Sequence, residues 1–326
     1  MAHEITFKNG IAQYASTQKE WHFAETQHQI LLPGASVEEW QKASGMDYTI
    51  KRGFVRYATE RDQPADQMQK VEDKVVLFRS DTLAPLGVVS DGYIVLQPGE
   101  VIEMFREWAK AGAVTIESAG VLFGGKRYFA TAKLSETLCL DGTRDKLALY
   151  ALFSTSADGS LASEIRLVTV RVVCNNTLRM AMGEKGALYR ATHRTTFKVE
   201  EAKAVVEAAN AEFGAFMATA RKLAAIKVEA KLAEEMTLAL FRKGETDSDK
   251  VRESRGFAKV MGLFNGEAKG ATLETARETA WGWLNAVTEY ADHHVRARSD
   301  ENRTASAIWG PGDNMKQQAL EIALVA

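Results

Sequence analysis

Two hydrophobic periods divide this chain, and the place where one gives way to the other limits the folds open to it. From Lys74 to Cys174 the apolar residues form short runs or alternate with polar ones, and Gly, Asp and Ser separate the runs. After Asn176 the reading is helical, and from Thr195 they recur at helical spacing in an Ala-rich background. A period of two builds strands and a period of about 3.6 builds helices. Strands joined directly by tight turns pair antiparallel, so the order predicts an α+β fold with a central antiparallel sheet and a helical C-terminal region.

Individual segments sharpen this outline. In "AVTIESAGVLFGGKRYFATAKL" two strands flank Gly124–Gly125, a glycine pair suited to a hairpin turn. The chain turns again at "DGT" and "ADGS" around "DKLALYALFSTS", then enters "LASEIRLVTVRVVC". One helix interrupts the strands. Over 98–111, Val101, Ile102, Phe105, Trp108 and Ala109 share a face between Pro98 and Gly112 and offer cover for the sheet. Upstream, Ser36 and Glu39 form a capping box for a short helix that Gly45 stops. "ATERDQPADQMQKVEDK" reads as a polar loop. Residues 1–65 are thus an accessory region, 66–198 an α+β core and 199–326 the helical part. In the last, some 45 Ala-rich residues from Thr195 predict one long arm or two helices. "ATLETARETAWGWLNAVTEYADHHVRARS" predicts another helix, and "GPG" a turn before a final short one.

Charge locates a candidate site. Net charge is −2, but Arg166, Arg171, Arg179, Lys185, Arg190, Arg194 and Lys198 fall in one segment with a single acid, Glu184. That island is +6 in a remainder of −8, the footprint expected for a polyanion. It starts where the strand "TVRVVC" meets Asn175–Asn176. If the chain turns helical there, either asparagine caps the helix, whose free N–H groups favour phosphate, and Arg171 and Arg179 flank one mouth. On the hairpin, Arg127, Phe129, Thr131 and Lys133 alternate onto one face, a basic platform with a ring for base stacking, and Lys126 stands beside it.

Other chemistry has less to recommend it. No GxSxG elbow occurs, and Cys174 at a strand end reads as a small buried hydrophobe. "LFGGKRY" lacks phosphate-loop spacing and opens a strand. Only Cys139 and Cys174 are present, with no CxxC pair, which argues against a disulfide framework or thiolate zinc. No apolar stretch nears the ~20 residues of a membrane span, and no secretory signal is read at the start. A cytoplasmic protein without cofactor is expected. The alternative is a metal site on "EYADHH", where Glu289 and His293 sit at i, i+4 with Asp292 and His294 adjacent. Its further ligand would come from elsewhere, His22 or His28 among the candidates.

"LGVVSDGYIVLQPGE", "TIESAGVLFGGKRYFATAKL", "VRVVCNNTL", "NAVTEYADHH" and "WGPGDNMKQQAL", in that order, resemble the phage/plasmid-like protein family of unknown function found on bacterial mobile elements. The likeness runs from about Trp21 to the C-terminus. In element order alone the chain is also similar to the ring-forming single-strand annealing recombinases. That resemblance implies subunits in a ring and single-stranded DNA held in a basic groove between hairpin and helix. The expected function is single-stranded DNA binding and annealing in phage or plasmid recombination by a homo-oligomer, with any partner nuclease unidentified. The alternatives are a metal-dependent nuclease or hydrolase using the "EYADHH" helix, and a host-interaction or defence-evasion protein.

Overall fold

The computed structural model describes residues 7–8, 11–17, 29–32, 34–110, 114–134, 138–140, 145–171, 176–179, 189–242 and 247–326. β1 (Phe7–Lys8) and β2 (Ile11–Ala12) form a small ladder, and β3 (Tyr14–Ser16) and β4 (Gln29–Ile30) pair in parallel. α1 (Val37–Ser44) begins at the expected capping box and ends at Gly45, where φ is 73°. β5 (Ile50–Tyr57), β6 (Gln69–Arg79) and β7 (Pro85–Ser90) make a three-stranded antiparallel sheet. α2 (Pro98–Lys110) follows within a residue of its expected bounds.

The hairpin of β8 (Thr115–Leu122) and β9 (Arg127–Lys133) turns through Gly124 and Gly125, both at positive φ. β10 (Leu138–Cys139), β11 (Lys146–Ser156), β12 (Ser163–Arg171), β13 (Asn176–Arg179) and β14 (Tyr189–Ala191) complete the strands. The helical part holds α3 (Val199–Ala225), α4 (Ala230–Phe241), α5 (Ser248–Arg252), α6 (Arg255–Gly262), α7 (Ala280–Glu289), α8 (Asp300–Trp309) and α9 (Pro311–Val325). A π-helical turn, Tyr290–His294, extends α7. Among the described residues no helix is long and apolar enough to cross a membrane.

The central sheet runs β13-β12-β11-β9-β8-β3-β4, antiparallel except at β3–β4. One face is apolar. Tyr128, Ala130, Ala132, Ala151, Phe153, Ile165 and Leu167 join a core with Val101, Ile102, Phe105 and Trp108 of α2 and Trp40 of α1. The opposite face is mixed. It holds a smaller cluster of Tyr14, Leu122, Phe129, Leu152 and Val168, covered by Ile308 and Trp309 where α8 meets α9. Burying a ring such as Phe129 contributes roughly 1.5–3 kcal/mol.

Several expectations need correction. The chain does not turn helical at Asn176. It makes β13, with Asn176 opposite Arg171 and Arg179 opposite Val168, and helix resumes only at Val199. β-branched Thr177 beside an unpaired edge of β12 favours ladder over helix. The polar loop 58–74 is a strand from Gln69 onward, since a ribbon wet on both faces tolerates polar residues at every position. The helix read across Ala271–Ser299 starts only at Ala280. Before it, Glu278 accepts from the Val228 N–H (3.0 Å) and Ala280 donates to Ile226 (3.0 Å), so the segment bonds to the α3–α4 link instead. The Ala-rich stretch is two helices, α3 and α4. Residues before 66 have a larger part than an accessory one: β3 lies in the central sheet, α1 packs on α2 and β5 pairs with β6.

Three buried tyrosines pin these layers. Tyr48 donates to the Gly125 carbonyl (3.0 Å), Tyr93 to that of Ser156 (2.9 Å) and Tyr128 to that of Leu96. Burial pushes each phenol above its usual value of 10, Tyr93 to about 12. A raised folded-state value means the native protein keeps protons that the unfolded chain releases. Stability is therefore expected to be intact below pH 10 and to fall as pH rises toward 12. Urea midpoints measured across that range should show the decline, and Tyr93→Phe should make it shallower.

Candidate nucleic-acid interface

Pairing in register places four of the expected basic residues, Arg127, Lys133, Arg166 and Arg190, on the mixed face of the central sheet. Phe129, Thr131 and Lys133 of β9 oppose Ser154, Leu152 and Tyr150 of β11, which in turn oppose Glu164, Arg166 and Val168 of β12. Arg190 of β14 lies opposite Glu164, and Arg127 shares the β9 alternation. The expected face therefore forms. Its centre is closed to a ligand, however.

Arg166 is a buried member of a charge cluster. Its Nε lies 2.8 Å from Glu164 Oε1 as a charge contact without hydrogen-bond alignment, and its Nη1 donates to Asp313 (3.2 Å) and to the Ile308 carbonyl (3.3 Å). A guanidinium between two carboxylates has no charge left for phosphate. Phe129 is 5% exposed and meets Tyr14 and Trp309, each at 6.3 Å between centroids. The expected stacking platform is thus already stacked, because an apolar ring on a sheet face needs cover and the α8–α9 junction supplies it. Trp309 Nε1 bonds Ser154 Oγ (2.9 Å) to fix that cover.

The rim stays accessible. Arg127 is half-buried, donates to Ser160 Oγ (2.9 Å) and lies over the Phe123 and Trp309 rings at 5.5 and 5.9 Å. Lys126 and Lys133 are half-exposed, and Arg190 and Arg194 are exposed. Lys198 is held by Glu201 at 2.6 Å. Across the β12–β13 ladder Arg171 stands opposite Asn176 and Arg179 opposite Val168. Asn175, Lys185 and Cys174 lie outside the described residues. Asn176 opens β13 and caps no helix. The neighbouring His193 is fixed rather than free. Its ring stacks on Tyr93 at 4.2 Å, and its nitrogens meet the carbonyls of Ile94 (3.0 Å) and Leu161 (2.8 Å).

A second basic surface lies where the sequence was read as accessory. β5 and the first half of β6 form a ribbon exposed along its outer length. It carries Phe54, 68% exposed, and Tyr57, 53% exposed, among Lys51, Arg56 and Lys70. Lys70 Nζ stands 5.1 Å over the Phe54 ring and pairs with the exposed Glu72 at 2.7 Å. The ribbon's base abuts the hairpin turn that bears Lys126 and Arg127. There Arg79 stacks on Tyr48 (3.7 Å), pairs with Asp81 (2.9 Å) and donates to the Gly124 carbonyl (3.2 Å). The signal was present in "KRGFVRY", where basic and aromatic residues interleave within seven positions.

The metal alternative fares differently. The π-helical turn shifts the spacing, so Glu289 approaches His294 at i, i+5 (3.8 Å) instead of His293 at i, i+4. Glu289 also accepts from the Lys269 N–H (3.1 Å), and Asp292 is held by Lys316 at 2.7 Å. Among the described residues no three or more His, Cys, Asp or Glu side chains are grouped to hold a metal ion.

A family described as a domain of unknown function, DUF932, matches residues 85–309, more than half of the chain. The protein belongs to the DUF932 family. No curated protein and no solved structure matches it. The DUF932 match opens at the first residue of β7 and closes at Trp309, the residue that covers Phe129. It includes the hairpin, Glu164 and Arg166 of β12, and the π-helical turn, while Asp313 lies beyond it. The exposed β5–β6 ribbon precedes the DUF932 span.

Proposed function

We propose that this DUF932 protein is a non-catalytic single-stranded DNA-binding protein. In this reading it acts as a homo-oligomer that anneals strands in phage or plasmid recombination, and the strand lies along the β5–β6 ribbon onto the Lys126–Arg127 turn. The observation that carries the reading is the pair of solvent-exposed rings, Phe54 and Tyr57, set among Lys51, Arg56 and Lys70. Single strands are gripped by cations along the backbone and by aromatic faces on which bases stack, and stacking contributes about 1–3 kcal/mol per base. Arg127 and Lys133, with Arg190 on the same sheet face, extend the positive surface.

The test is titration of an oligothymidylate with the full-length protein at increasing salt. With about four cations on phosphates, log affinity should fall against log salt with a slope of about −3. Phe54→Ala with Tyr57→Ala should weaken binding at least about tenfold at fixed salt, with an unchanged unfolding midpoint because both rings are exposed. An absence of affinity at low salt, or full affinity in the double variant, would overturn the proposal.

A further inference from the structure

Arg127 stands over two half-buried rings, Phe123 at 5.5 Å and Trp309 at 5.9 Å. Its Nε donates to Ser160 Oγ (2.9 Å), which orients the guanidinium. Its Nη atoms make no hydrogen bond or ion pair among the described residues. The two acids bonded to the same stretches of chain are engaged elsewhere. Glu301 accepts the Phe123 N–H (2.9 Å) and Asp158 the Ser160 N–H (2.9 Å), and neither pairs with Arg127. Arg166 on the same sheet face is held by two carboxylates, and Arg127 by none among the described residues. Lys126, half-exposed in the same turn, adds a second cation.

Phe123 is strained where it stands. Its φ is 54°, in the left-handed region that a bulky side chain rarely adopts, whereas Gly124 beside it takes 69° freely. Strain of this kind persists where the surroundings hold it, and it gathers at ligand clamps. Glu301 holds the Phe123 backbone, and the ring lies half-buried with Arg127 over it. Trp309 is fixed as firmly, with its Nε1 on Ser154 Oγ and its ring edge to face with Phe129. A guanidinium stacked on rings keeps its outer N–H fork for an oxyanion, phosphate foremost. An exposed part of an indole offers a planar ligand a place to stack. An anion joined to a planar ring meets both demands, and a nucleotide is that combination. We propose that the Phe123–Arg127–Trp309 rim binds one nucleotide unit, with its phosphate on Arg127 and its base against Trp309. This rests on the nucleic-acid reading and gives the strand a stacking point outside the ribbon.

The probe is a 5′-phosphorylated thymidine dinucleotide. It is added to the full-length protein bearing Phe54→Ala with Tyr57→Ala, so that the ribbon's rings are absent. Tryptophan emission is expected to change and saturate, and Trp309→Phe should remove the change. Arg127→Gln should weaken the dinucleotide at least about tenfold, and Arg127→Lys, which keeps the charge and loses the fork, at least about threefold. Thymidine and inorganic phosphate should each compete at least about tenfold less well than the dinucleotide. An emission response that survives Trp309→Phe, no response at all, or equal affinity in Arg127→Gln would overturn the proposal. Equal competition by inorganic phosphate would leave a site for charge alone and overturn it too. Full oligothymidylate affinity in the ribbon variant would sink the ribbon and leave this site standing, whereas a silent Trp309 would sink this site and leave the ribbon.

Discussion

Gly282→Ala is expected to destabilise the protein by more than about 4 kcal/mol, enough to leave little native material. Gly282 lies in the first turn of α7, and a Cβ there would sit 1.7 Å from the Ala276 carbonyl oxygen and 2.7 Å from its carbon. Both are backbone atoms, so no rotamer relieves the clash. The 276–279 segment is itself bonded to the α3–α4 link, and Thr279 caps α7 by accepting from the Gly282 N–H (3.0 Å). The backbone therefore has nowhere to retreat without breaking the cap or the link. Net stability of a domain is only about 5–15 kcal/mol, so the loss is a large fraction of it. Gly214→Ala is the control. Gly214 is exposed within α3, and a Cβ there meets nothing within 4 Å. That change should stabilise by up to about 1 kcal/mol through helix propensity. Urea denaturation of the two variants should move the midpoint in opposite directions.

Lys316→Met is expected to cost about 3–5 kcal/mol. Lys316 is 1% exposed on α9, and its ammonium lies 2.7 Å from Asp292 in the π-helical turn, itself 4% exposed. Removing the lysine takes from a buried carboxylate the ammonium 2.7 Å away, and that loss of compensating charge is the source of the destabilisation. A buried ion pair contributes little beyond its own desolvation, so removing both charges should be much milder. Asp292→Asn with Lys316→Met is therefore expected to recover at least half of the lost stability. A double variant no more stable than Lys316→Met alone would show that the pair is not what holds α9 to the turn. Thermal unfolding of the three proteins decides it.

Elements held by neighbours in sequence were legible before any fold was known. Ser36 and Glu39 close a capping box three residues apart, Pro98 and the spacing of Val101, Ile102, Phe105 and Trp108 define α2, and Gly124–Gly125 turns the hairpin. Strand alternation also placed Arg127, Phe129 and Lys133 on one face. What could not be read was whether that face was open. One of the two carboxylates that neutralise Arg166 is 147 residues away, and the ring that covers Phe129 lies at the end of α8. The ribbon was hidden for the opposite reason. Its residues look like a polar linker because both of its faces meet water, and the pattern of burial that reveals strands is missing there.

The amino-acid order by itself determined that a strand-rich part precedes a helical one, the capping box of α1 and the hairpin turn, the antiparallel pairing of most of the main sheet, and the concentration of positive charge between Arg166 and Lys198. Each of these follows from contacts a few residues long or from composition. Tertiary structure alone decided which of those charges face solvent, which ring is left bare, and how the "EYADHH" carboxylates and imidazoles are spaced. Gly214 and Gly282 show why. Both stand in helix-forming sequence, and only the folding of the preceding Ala276 backbone against the first turn of α7, where the link between α3 and α4 holds it, makes one replaceable and the other not.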